Sequence, residues 1–164
     1  MSRRTSPPEG KFRYRHPIEV RFADTDAMGH VNNATYLTYF EAARAGYYAA
    51  LAGTPFGHGE TGRRHTFLLA EARVVYRAPA FFGEPLVCEC RAAWLSRSSF
   101  GLEYRVVAEG SVVAPRRVIA DGDTVQVMID HATARVVRMP ADLAQLIERF
   151  EGRSIPAQVP SPQA

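Results

Sequence analysis

Cysteine is almost absent from this chain: Cys88 and Cys90 are the two in 164 residues. A disulfide scaffold is therefore excluded, and C-x-C without a second cluster is no zinc signature. In a strand, residues two apart point the same way and sit too far apart to bridge easily, so both read as reduced core side chains. No apolar segment follows the basic N-terminus, so nothing resembles a secretory signal. No apolar run is long enough to span a membrane. There is no basic stripe interleaved with aromatics, so nucleic acid is not an expected partner. These absences point to a reduced, cytoplasmic protein without membrane segments.

Familiar site motifs are missing too. There is no G-x-S-x-G elbow, no phosphate-binding P-loop and no G-x-G-x-x-G after a strand. Asp24-Thr25-Asp26 with Gly29 begins like a calcium loop. Met28 at the fifth position and Thr35 at the twelfth supply no carboxylate there. His58-Gly59-Glu60 lacks the Pro-Cys-x-x-Cys that completes a deaminase zinc site. His16, His58, His65 and His131 share no ligand spacing and are expected at the surface. No metal and no redox cofactor is implied.

The remaining composition, 46% hydrophobic and 23% charged, fits one globular domain with a substantial core. The formal charge of +3 is slight, and arginine dominates the basic residues. Residues 1–16 and 151–164 read as loose tails around a single domain over 17–150. A strand is expected over 17–23 and a helix over 33–51, ended by Gly53. A glycine-rich loop follows over 53–65. The apolar period then changes to two. Ala70, Ala72, Val74 and Tyr76 form one row. Leu86, Cys88, Cys90, Ala92 and Trp94 form the next, and Phe100, Leu102, Tyr104 and Val106 a third. A last strand over 118–130 carries Gly122, where a bulge is expected. Short turns imply that successive strands are antiparallel neighbours. A short helix over 140–150 closes the domain. The class is α+β, one long buried helix lying across a curled antiparallel sheet. Such a sheet leaves a face and an edge to cover, so a homodimer is expected.

The chain is organised around VRFADTDAMGHVNNATYLTYFEAARAGYYAAL, residues 20–51. A polar turn with Asp24, Asp26, His30, Asn32 and Asn33 leads into a helix that is apolar on most faces, interrupted by Glu41 and Arg44. The start of a helix carries free N–H groups and the positive end of its dipole, which suits an oxyanion or a polarised carbonyl. Two readings fit the carboxylates: caps of the turn and helix, or a carboxylate poised beside an oxyanion site.

The run R-F-A-D-T-D-A-M-G-H-V-N-N-A-x-Y-L-x-Y-F-E-x-A-R resembles the N-terminal motif of hotdog-fold acyl-CoA thioesterases of the 4-hydroxybenzoyl-CoA thioesterase type. Plant acyl-ACP thioesterases carry a similar D-x-D-x-x-x-H-V-N-N. Val74-Val75-Tyr76-Arg77-Ala78-Pro79, Gly83-Glu84-Pro85-Leu86, Ser98-Ser99-Phe100 and Asp121-Gly122-Asp123-Thr124-Val125 also agree. The resemblance covers about residues 17–140. It implies a hotdog fold, an antiparallel sheet wrapped around a central helix and paired into homodimers or homotetramers. It implies an acyl-CoA thioester hydrolase releasing a carboxylic acid and free CoA. The family's catalytic carboxylate falls on Asp26, as nucleophile or general base. The backbone N–H that polarises the thioester carbonyl falls at Asn33. The motif histidine, catalytic in the plant enzymes, falls on His30, although the Asn two residues before it is Met28 here. The acidic residue that meets the far end of an aromatic acyl group falls on Glu41, which could instead pair with Arg44 or Arg73. Tyr36, with other apolar residues of the helix, and Trp94 would line the acyl tunnel. Arg63, Arg64 and Arg97 would meet the CoA phosphates, CoA entering only as part of the substrate. Two other readings stay open: an acyl-ACP thioesterase, and a non-catalytic acyl-thioester binding module.

Overall fold

The computed structural model describes residues 6–55, 57–58, 65–110 and 115–158. Five strands form one antiparallel sheet: β1 (Tyr14–Glu19), β2 (Phe67–Tyr76), β3 (Pro85–Leu95), β4 (Ser99–Ala108) and β5 (Arg117–Met128). Helix α1 (Thr35–Ala52) lies between β1 and β2 in sequence, and α2 (Ala141–Glu151) follows β5. The order across the sheet is β1-β3-β4-β5-β2. Strands β3, β4 and β5 are successive antiparallel neighbours, as expected. Strand β2 is not β3's neighbour. It pairs with β5 at the far edge, so residues 77–84 carry the chain across the end of the sheet. Among the described residues no helix is long and apolar enough to cross a membrane.

The alternating rows bury one face of the sheet against the helix. Cys88 and Cys90, Leu102 and Tyr104, and Ala120 share a core with Phe40, Ala43, Tyr47 and Tyr48 of α1. Both cysteines are free and wholly buried. The closest approach is at Gly122. Phe40 stacks on Tyr104 at 4.4 Å, and a Cβ on Gly122 would stand 2.6 Å from the Phe40 ring and 2.0 Å from the Arg73 carbonyl oxygen. Glycine is needed there to admit the helix, not to make the expected bulge. Gly122 pairs in register with Val74 and Tyr104. The irregularities lie at Leu69/Glu71, Ala92/Trp94 and Val106/Val107.

The second of these moves Trp94. An irregularity of one residue reverses which face the following side chains take. Leu95 therefore packs against the core, whereas Trp94 lies over Gly101, its Nε1 2.2 Å from where a Cβ would stand. The indole is on the face away from α1 and cannot line a tunnel beside that helix.

Residues 8–16 and 151–158 carry more structure than loose tails would, while 1–5 and 159–164 lie outside the described residues. Strand β1 starts at Tyr14 and stops at Glu19, and Phe22–Asp24 forms a short 3-10 turn where strand was expected. Phe12 is buried between the Arg91 and Arg105 guanidiniums, 4.5 and 4.6 Å from its ring centroid. The same arginines donate to the Glu9 and Pro8 carbonyls. At the other end, Glu151 is buried and accepts from the Tyr47 hydroxyl at 2.8 Å and the Ala92 N–H at 2.7 Å. Ile155 is buried, and the Gln158 N–H donates to Leu95. Cation–π contacts and backbone acceptors tie down segments whose composition alone reads as polar linker.

Candidate active site

The turn over residues 24–33 holds its two aspartates in unlike surroundings. Asp24, at the end of the 3-10 turn, faces inward and is 3% exposed. Its Oδ1 is 2.6 Å from Arg21 Nη2, and its Oδ2 accepts from the Arg21 N–H at 3.0 Å and the Tyr39 hydroxyl at 3.2 Å. Hydrogen bonding to Arg21 holds the Asp24 carboxyl below the usual carboxylate range, against the opposing effect of burial. Burial, then the Asp24 charge, pushes the Tyr39 phenol up.

Asp26 sits in a tight loop closed by its own backbone. Its N–H donates to the His30 carbonyl at 3.0 Å, and its carbonyl accepts from Gly29 N–H at 2.9 Å. Gly29 has φ +82°, a conformation that favours glycine. Asp26 Oδ1 accepts from the Met28 N–H at 2.9 Å, an Asx turn that fixes the carboxylate. Oδ2 lies 3.6 Å from His30 Nδ1, and the side chain is 26% exposed. One carboxylate is spent inside the fold, and the other is held at its surface.

The entry into α1 uses its N–H groups one by one. Val31 N–H donates to Ala80 O, and Asn32 N–H to Asp24 O. Ala34 N–H donates to Asn32 Oδ1, and Thr35 N–H to Asn32 O. Asn32 thus closes an Asx turn just ahead of α1. Two N–H groups are left over, those of Asn33 and Tyr36, which have no acceptor among the described residues; of the two, Asn33 is the position the motif resemblance singles out. Its carbonyl accepts a hydrogen bond from the Tyr76 hydroxyl at 2.9 Å.

A cavity of about 640 Å³ brings together Asp26, His30, Asn33, Tyr36, Tyr76 and Arg77. Tyr36 is buried, and its phenol is pushed up to about 12, chiefly by burial. Arg77 is engaged by the buried Asp121 carboxylate at 2.6 Å. Four of the residues singled out from the sequence therefore meet here. Tyr76 and Arg77 were not singled out. A period of two says which face a strand residue takes, not that the strand's end meets the start of a helix.

The others lie elsewhere. Glu41 borders a second cavity of about 340 Å³ between α1 and β2, with Arg44, Tyr48 and Phe67. Arg73 pairs with Asp123 at 2.6 Å, and Glu41 forms no ion pair with Arg44 or Arg73. Arg97 is exposed in the β3–β4 turn. Ser99 pairs with Val127 near the end of β5, whereas Tyr76 pairs with Ala120 near its start. Arg97 and the Asp26 cavity are therefore at opposite ends of the sheet within one chain. Arg63 and Arg64 lie outside the described residues. His65 is not at the surface: it is wholly buried, 3.0 Å from the Tyr48 hydroxyl and 3.1 Å from Asp142 Oδ2.

Residues 20–147 match the family model described as the thioesterase-like superfamily. A thioesterase of Thermus thermophilus, solved with coenzyme A and zinc, is 30% identical with a TM-score of 0.74, over 88% of this chain and 98% of that one. The long-chain acyl-CoA thioesterase FadM of Escherichia coli is 26% identical over 133 residues, 81% of this chain and 96% of its own. The structure of 4-hydroxybenzoyl-CoA thioesterase with 4-hydroxybenzoyl-CoA is alike in fold, with a TM-score of 0.71 at 19% identity, over 81% of this chain and 96% of that one.

Proposed function

The chain belongs to the thioesterase-like superfamily as a hotdog-fold thioesterase, and we propose that it hydrolyses an acyl-CoA thioester with Asp26 as the reacting carboxylate. One observation carries this reading. The Asp26 carboxylate shares a cavity with Asn33, whose N–H at the start of α1 has no acceptor among the described residues. The thioester carbonyl oxygen would accept from that N–H, and its developing negative charge would meet the positive end of the helix dipole. Such a donor typically contributes about a hundred- to a thousandfold in rate.

Asp26 then has two routes. It attacks the carbonyl carbon, expelling thiolate and leaving an anhydride that water opens. Alternatively it takes a proton from water, whose oxygen attacks the carbonyl as thiolate leaves. Either way the thioester and one water become a carboxylic acid and a thiol. A thiolate leaves readily, so no strong acid is required. His30, 3.6 Å from Asp26, would form an ion pair with it when protonated. The reaction as written uses neither metal nor redox cofactor. A single turnover in ¹⁸O-water bears on the routes: label in Asp26 requires an anhydride opened at the Asp26 carbon, whereas label in the released acid alone means that water attacked the acyl carbon, as either route allows.

CoA as the thiol is supported by the coenzyme A in the Thermus thermophilus thioesterase and by the acyl-CoA specificity named for FadM. Arg63, Arg64 and Arg97 remain the phosphate contacts of this proposal, in a cytoplasmic homodimer or homotetramer. The free edge of β2, with Leu68 57% and Leu69 48% exposed, supports self-association. An arginine remote within one chain can meet the site of a partner. The test is thiol release across CoA esters of varied length and aromaticity, beside the same acyl groups on carrier protein. Run on Glu41→Gln, that panel should reorder the acyl groups. Tight binding of a non-hydrolysable analogue without turnover of any ester would favour the binding module.

A further inference from the structure

We infer that Tyr76 is a positioning residue for the oxyanion site: its hydroxyl sets the direction of the Asn33 N–H through the Asn33 carbonyl. The inference rests on the proposed roles of Asp26 and Asn33. Tyr76 is the last residue of the edge strand β2, half exposed, with its ring edge-on to Tyr36 at 5.4 Å. Its hydroxyl donates to the Asn33 carbonyl oxygen at 2.9 Å.

That bond stands where a helical one would be. A carbonyl at the start of an α-helix ordinarily accepts from the N–H four residues on, here Leu37. The Leu37 N–H instead goes to Ala34 O at 3.3 Å, a tighter turn, and the Asn33 carbonyl is left to the phenol. The preceding peptide is fixed from the other side. Asn32 donates to Asp24 O and accepts from Thr35 N–H and Ala34 N–H. The backbone of residue 33 is thus held between the 24–33 turn and the sheet, and its N–H has no acceptor among the described residues. Without the phenol, the Asn33 carbonyl can take the Leu37 N–H, winding the helix back one residue and rotating Asn33. An oxyanion donor works only if it points where charge develops, so its orientation is as consequential as its presence.

Tyr76→Phe keeps the ring against Tyr36 and removes only the donor. On the acyl-CoA the parent hydrolyses best, kcat should fall roughly tenfold with KM little changed. That is less than the about hundredfold cost of a 1 Å misplacement. A second measurement does not depend on turnover. Bind a CoA ketone, with a methylene inserted between carbonyl and sulfur, to the folded proteins. The isotope-edited carbonyl stretch should be lowered in the parent and return toward the free value in Tyr76→Phe. A merely structural tyrosine would lower the melting temperature and leave that frequency alone. An unchanged frequency with kcat within twofold of the parent, or a loss confined to KM, overturns the positioning role and leaves the thioesterase reading standing. A parent that releases thiol from no acyl-CoA overturns the reading of the site, and this inference with it.

Discussion

Asp24 and Asp26 are two residues apart in one turn, with the same carboxylate and opposite surroundings. Asp24 has turned inward and found partners on three sides, a guanidinium, a backbone N–H and a phenol. Asp26 has one oxygen on a backbone N–H, the other near His30, and a cavity before it. The difference is not one of side-chain chemistry. It comes from the 3-10 turn over Phe22–Asp24, which rolls Asp24 under the chain, and from the Gly29 bend that closes the loop behind Asp26. A satisfied carboxylate is a structural tie. A fixed and accessible one, beside an N–H without an acceptor among the described residues, is what the proposed chemistry needs.

The comparison is sharpened most by removing each charge without changing shape. Asp26→Asn should lower thioester turnover by about two to four orders of magnitude if Asp26 is a general base, and at least as much if it is the nucleophile. Its melting temperature and its affinity for a non-hydrolysable analogue should stay near the parent's. Near-normal turnover would move the chemistry to another residue. Asp24→Asn should do the reverse. It leaves Arg21 and Tyr39 around an amide, at a cost of ~2 kcal/mol for hydrogen bonds to a charged group. That is a melting temperature lower by roughly 4–8 °C for a chain of this size. An Asp24→Asn protein that melts like the parent but does not turn over would collapse the distinction.

Acid offers a smaller effect on the same contrast. The folded-state pKa of Asp24 is depressed by its hydrogen bonds to Arg21. The stability it contributes is therefore fully present above its unfolded pKa of about 3.9. It is lost as pH falls through the folded value. The gap in melting temperature between parent and Asp24→Asn should be constant near neutrality and close as pH drops below about 4. A gap that persists unchanged in acid would mean that shape, not charge, is what Asp24 supplies.

Much of this was legible in the sequence, because it is written in short spacings. Alternation gave the strands, and the long aromatic helix with Gly53 behind it gave α1. The motif put Asp26, His30, Asn33 and Tyr36 within one turn and one helical start, and local chain geometry is enough to bring them together. What escaped depends on pairings far apart in the chain. The exchange of β3 for β5 beside β2 carries residues 77–84 over the end of the sheet. That crossing brings Tyr76 and Arg77 to the cavity and leaves Arg97 at the other end. The irregularity at Ala92/Trp94 turns Trp94 away from the helix, and no local signal announces it. His65 read as a surface histidine because its partners, Tyr48 and Asp142, are joined only by the packing of α2.

The smallest expected effect comes from Tyr39, the part of the Asp24 tie that belongs to α1. Its hydroxyl donates to Asp24 Oδ2 at 3.2 Å, and both residues are buried. Burial and the neighbouring negative charge push the phenol's pKa up, so it remains a protonated donor wherever the protein is folded at ordinary pH. Tyr39→Phe deletes one of several bonds to a carboxylate that Arg21 still holds. The cost should be about 1 kcal/mol, or roughly 2–4 °C in melting temperature. Turnover should stay within about twofold, because the ring still fills its place in the core and Asp26 is held by backbone bonds that do not involve Tyr39. In the Asp24→Asn background the same substitution should cost less than it does alone, since the charge that strengthens the bond is gone. Thermal melts and initial rates on the four proteins of that cycle would measure it. Additive losses in stability would show that Tyr39 does not act through Asp24. A loss of turnover approaching that of Asp26→Asn would show that the buried tie and the exposed carboxylate work as one unit.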